Sequence, residues 1–428
     1  MWRSPVARWA LYLALGTAAA WSPPGRGWPF LFDAWLWTGL RDVVTGDFWK
    51  LPISVSVAMA AADFLARHAP RLEIPVRRLA LFVLSVGVCS GLFFWVFRVR
   101  FWLGDLARLE DWPLPWWRIE AAEPLGALTW AAVEHGANAL GISRTSAHQL
   151  VSVVAGGTAL GGAFLLSRDL HREWPYFLAM FASSGFLVLF CGYPEKGTPK
   201  ALAVLVWYLW AASRAWREGS RAWLFLSSLF LSVAALLHGS ALCALGGHLY
   251  GVWKHRSPRA VLSAALGFFL PLACVGAYVL SGAPVSGGAW GNIAAPWQWF
   301  DRYCVTNCGY EFWSLDHLLD IVNCLLVLAP VAVLFWPQAW IRSRDTASRA
   351  LGITALGGLF LSVVWFPVYG YYADWDIFAV TPLLVTAHVL SVAARDLPPS
   401  ALRRLAAAWV VGSAAHALSW WRYFRLGL

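Results

Sequence analysis

Acidic side chains recur in short segments that lie between apolar runs. Asp105 stands in FRVRFWLGD, Glu120 and Glu123 precede PLGALTW, and Glu195 stands in GYPEKGTPK. Further along, Asp316 and Asp320 belong to SLDHLLDIVN, and Asp374 and Asp376 to ADWD. Basic residues share these segments: Arg98, Arg100, Arg108, Arg118, Arg144, Lys196, Lys200 and Arg302. A carboxylate within reach of a hydroxyl acts as a general base. Fixed cations beside it hold a phosphate through charge-assisted hydrogen bonds. Acids and cations delivered by separate segments to one level therefore read as group transfer from a phosphate-linked lipid. The bland reading is attraction of the same cations to lipid headgroups.

Each residue carries an alternative. Asp105 follows Gly104, which lets the backbone turn tightly; it is either a general base or an N-cap for the short helix after it. Glu195 either pairs with Lys200 in a turn or positions a polar substrate while Lys196 or Lys200 meets a phosphate. His238, in LLHGSAL, ends an apolar helix and is either a satisfied helix-end residue or a ligand for substrate. Asp374 and Asp376 flank Trp375, and the i, i+2 spacing points them to different faces of a helix. His317 and Asp320 share a helix face with Asn323 or Cys324. That is at most a metal half-site, so no cofactor is expected, and a divalent ion is the one open exception. Cys304 and Cys308, in YCVTNC, are spaced for a disulfide in a short loop.

The elements that must position these residues follow from composition. The 428 residues are 59% hydrophobic and 13% charged, with mean hydropathy +0.58. A soluble chain is about 25% charged. Disorder, fibrous repeats and a disulfide scaffold are excluded. The apolar runs are continuous and do not alternate, which excludes a β-barrel. The fold class expected is an all-α polytopic membrane protein with about 11–13 transmembrane helices, one transmembrane domain over residues 1–428. The run Ala10–Ala20 reads as the first helix, not as a removed signal.

The formal charge of +10 is mostly topology. With loops assigned alternately, most Lys and Arg fall on the N-terminal side, among them Arg77, Arg78, Arg214, Arg217, Lys254, Arg403 and Arg404. That side is expected to be cytoplasmic, and nucleic acid is not an expected partner. Two long loops, 99–148 and 281–316, then face outward. In the first, Leu103 to Leu109 and Pro124 to Leu140 read as short amphipathic helices lying in the interface plane. Leu125, Leu128, Ala132 and Leu140 form the apolar face of the second. No internal repeat marks an inverted-repeat transporter.

The ordered set FRVRFWLGD, EPLGALTW, GYPEKGTPKALAVL, LLHGSAL, SLDHLLDIVNCLLVLAP and ADWDIFAVTPLL resembles bacterial membrane glycosyltransferases of the GT-C class. The resemblance spans roughly residues 97–384. It implies a multi-helix enzyme of the bacterial plasma membrane with its N-terminus cytoplasmic and its active site extracytoplasmic. Such enzymes move a sugar from a polyprenyl-phosphate-linked donor to a lipid, glycan or protein acceptor. Their usual base is a carboxylate in the first large outward loop, which maps to Asp105. Donor and substrate contacts are expected from Arg100, Glu123, Glu195, Lys196, Lys200, His238, Arg302, His317, Asp320, Asp374 and Asp376. The chain departs from better-known members in having Gly-Asp-Leu where they have paired acids, and in lacking a soluble C-terminal domain. The rival reading is a transporter or flippase for lipid-linked sugars or small solutes. A third is a non-catalytic assembly subunit with its outward loops packed shut.

Overall fold

A computed structural model describes residues 60, 64, 76–98, 119–120, 123–255, 257–283, 285–286, 315–364 and 375–426. These residues are predominantly helical. The order is α1 (Val76–Val96), β1 (Ile119–Glu120), α2 (Pro124–Leu140), α3 (Arg144–Leu170), α4 (Trp174–Ala182), α5 (Thr198–Glu218), α6 (Arg221–Leu237), α7 (Leu245–His255) and α8 (Pro258–Leu280). There follow β2 (Val285–Ser286), α9 (Leu315–Leu328), α10 (Pro330–Arg342), α11 (Thr346–Val364), α12 (Trp375–Phe378), α13 (Val380–Asp396) and α14 (Pro399–Leu426).

Four described helices, α1, α3, α8 and α11, are long and apolar enough to cross a membrane by length and composition. Others are built in pieces. α4 has 9 residues and continues, after a break at Ser183 and Ser184, into a 3₁₀ segment, Gly185–Phe190. α6 breaks at His238, and a second 3₁₀ segment, Gly239–Ala244, leads into α7.

Burial separates a centre from a rim. Nearly every residue of α13 is buried, and the buried faces of α3 and α5 join it in the main apolar cluster. α5 packs on α6, α6 on α8, α3 on α1 and α5, and α11 on α7 and α13. At the rim, only 6% of the apolar window of α1 and 17% of that of α8 are buried. Leu84, Val88, Leu92, Leu262, Leu266 and Phe269 are exposed there. Helices apolar all round are stable when hydrocarbon, not water, covers the outer face.

The helix expected from Pro124 to Leu140 is present as α2. Ala127, Trp130, Ala131, Glu134 and Ala137 pack inward against the protein, whereas Ala132 and Leu140 are exposed. The apolar face named from the sequence is the one turned away from the protein. A two-residue parallel pairing joins Ile119 to Val285 and Glu120 to Ser286, bringing the segment before α2 against the segment after α8.

Candidate functional site at the α2, α5 and α6 junction

Three backbones meet where α2 begins, α5 begins and α6 ends. Gly126 of α2 and Gly197, just before α5, both lie against the Leu237 carbonyl oxygen. A Cβ would stand 2.5 Å from that oxygen at Gly126 and 2.4 Å at Gly197. Only glycine permits both approaches. The turn before α5 is fixed from below: the Ser152 hydroxyl of α3 donates to the Tyr193 carbonyl at 2.5 Å.

This junction gathers five of the residues expected from the sequence: Glu123, Glu195, Lys196, Lys200 and His238. The Lys196 ammonium bonds the Glu120 carboxylate and stands 4.0 Å from Glu123 Oε2. Glu123 Oε1 lies 3.2 Å from His238 Nε2. On the other ring nitrogen, the Ser240 N–H donates to His238 Nδ1 at 3.3 Å, and Ser240 Oγ lies 2.6 Å away. With Nδ1 accepting, the proton of the neutral ring sits on Nε2 and points at Glu123. Burial pushes the His238 imidazole below its ordinary value of 6.5; Glu123 opposes the shift and Lys196 adds to it.

Glu195 accepts the backbone N–H of Lys196 at 2.8 Å. The expected Glu195–Lys200 pair is not formed as a hydrogen bond. Lys200 Nζ is shielded from solvent and has no hydrogen-bond partner among the described residues, although the charges of Glu195 and Glu123 reach it. An ammonium in that position is poised to donate to an anion that enters the junction.

A second polar set, of which only Arg144 was read from the sequence, borders the first. Glu134 is buried in α2, with its Oε1 2.8 Å from His148 Nε2 and its Oε2 2.7 Å from Arg144 Nε. Trp130 stacks on the His148 ring at 3.7 Å between centroids. The available signal was an acid inside an apolar helix, which has to find a partner when it is buried. Arg144 and His148, at i and i+4 on α3, supply two.

Of the remaining expected residues, Asp105, Arg100, Arg302 and Asp374 lie outside the described residues, as do Cys304 and Cys308. His317 and Asp320 fall on α9 and Asp376 on α12; their side chains also lie outside the description.

Charges at the far ends of the same helices form a separate set. Arg214 of α5 bonds Asp169 of α3 through its Nη2 at 3.0 Å, and Arg217 donates to the Asp169 carbonyl at 2.6 Å. Thus α3 and α5 each carry one polar cluster per end, with apolar packing between. No family model, curated protein or solved structure matches this chain.

Proposed function

We propose that the chain is a membrane glycosyltransferase that moves a sugar from a polyprenyl-phosphate-linked donor to an acceptor, with inversion. The supporting observation is the junction itself, where a shielded Lys200, without a hydrogen-bond partner among the described residues, lies within reach of the charges of Glu195, Glu123 and Lys196. In this reading the acceptor oxygen bonds to the anomeric carbon as the bond from that carbon to the phosphate oxygen breaks. A carboxylate takes the acceptor proton, and the lysines stabilise the leaving lipid phosphate. A general base contributes about 10²–10⁴ in rate, and fixed cations add electrostatic stabilisation in a site sheltered from water. Asp105 is the base by resemblance; Glu120, bonded to Lys196, and Glu123, 4.0 Å from it, are the described carboxylates of the same loop at the junction. The junction would face the extracytoplasmic side of a bacterial plasma membrane.

The test is transfer of labelled sugar from a polyprenyl-phosphate-linked donor by the purified chain in liposomes. Asp105→Asn and Lys200→Met are each expected to cut turnover about 100-fold or more. Near-wild-type turnover in Asp105→Asn removes Asp105 from the base role. Flux of the lipid-linked sugar with no transfer would replace the enzyme reading with the transporter.

A further inference from the structure

Away from the junction, a run of buried polar atoms lies between α5, α6 and α7. Tyr208 and Trp216 sit two turns apart on α5, with ring centroids 6.4 Å apart. On α7, His248, Gly251 and His255 occupy one face at i, i+3 and i+7. The His248 ring is 5.8 Å from that of Tyr208, and its Nε2 is 2.8 Å from Ser228 Oγ of α6. Ser232 follows Ser228 at i+4. The Trp216 indole nitrogen lies over Gly251, so close that a Cβ there would fall 1.9 Å from it. Tyr208 is 0%, His248 3%, Ser232 1% and Trp216 4% exposed.

Four atoms of this run have no hydrogen-bond partner among the described residues: Ser232 Oγ, His248 Nδ1, Trp216 Nε1 and His255 Nε2; Tyr208 Oη, at the inner end, has Thr354 of α11 beside it. Buried polar groups are nearly always paired, with protein or with ordered water. One orphan is tolerable. Several side by side impose a desolvation cost that bound water removes, since a buried water bonds two to four such groups. The chemistry is mixed. The indole offers only a donor, the hydroxyls offer donor and acceptor, and the histidines offer either. That mixture suits water better than an ion of either sign.

We infer that a file of bound water runs between α5, α6 and α7, from the C-terminal ends of α5 and α7 to the middle of the bundle. Trp216 and His255 stand at its mouth, and His248, Tyr208 and Ser232 at its inner end. It leaves the junction of α2, α5 and α6 untouched and does not depend on the glycosyltransferase reading. The file makes His248, an ionisable residue inside the helix bundle, reachable by solvent, which is the usual setting of such residues within membranes.

Radiolytic hydroxyl-radical footprinting of the full chain in nanodiscs tests the inference, because radicals form from water in place. Tyr176, 0% exposed, and Trp409, 1% exposed, serve as sealed references of the same residue types. The expected result is several-fold faster oxidation of Tyr208 than of Tyr176 and of Trp216 than of Trp409. In His248→Phe, Tyr208 oxidation is expected to fall toward that of Tyr176. Oxidation of Tyr208 and Trp216 no faster than the references overturns the file. So does Tyr208 oxidation unaffected in a His248→Phe protein that melts like the wild type. Where that variant does not fold, the wild-type comparison decides alone.

Discussion

His238 does two jobs that pull on one ring. Its Nδ1 caps the 3₁₀ segment through Ser240, and its Nε2 faces Glu123. Burial depresses its pKa below 6.5, so the folded chain holds the neutral ring more tightly than the unfolded chain does. The sign follows from linkage. This stability is fully present above pH ~6.5 and is lost as pH falls through the folded value, at up to about 1.4 kcal/mol per pH unit for one proton. Melting in nanodiscs between about pH 7.5 and 5 checks it. The wild type is expected to lose stability with acid, and His238→Asn, which keeps a cap for Ser240, to lose less. Equal losses in the two proteins would show that His238 is not the sensitive group.

At the scale of elements, α2 is held by polar contacts at both ends. Glu123 meets His238 at its start, and Glu134 meets His148 and Arg144 farther along. Removing one partner of a buried ion pair leaves the others uncompensated and costs about 3–5 kcal/mol. Glu134→Ala is therefore expected to loosen α2 before the bundle melts, seen as faster amide hydrogen exchange over residues 124–140 with α5 unchanged. Exchange unchanged in α2 would mean that apolar packing of Ala127, Trp130 and Ala131 holds the helix unaided. The bounds of α2 were legible because Pro124 opens a helix well and the apolar run ends at Leu140. Its inward face was not, because the leucine stripe dominates the pattern while the docking side is carried by Trp130 and Glu134. The end of α6 at His238 was legible in LLHGSAL, whereas the break at Ser183–Ser184 was hidden, because the 3₁₀ segment Gly185–Phe190 is as apolar as the helix before it.

On the scale of the whole molecule, the sequence made legible which short segments carry charge between apolar runs. The structure brings Glu123, Lys196 and His238 together at one end of α5, and Asp169, Arg214 and Arg217 at the other. Side-chain partners within a group were beyond the sequence. They depend on close backbone approaches such as Gly126 and Gly197 on Leu237, which no spacing rule encodes. The account rests on one end of this bundle taking a lipid-linked phosphate. A structure of the full chain in nanodiscs with a bound polyprenyl phosphate tests that most directly. The account predicts a phosphate oxygen about 3 Å from Lys200 Nζ, beside Glu123 and Lys196. A phosphate bound at the Asp169 and Arg214 end, or a junction left empty while the lipid binds elsewhere, would contradict it.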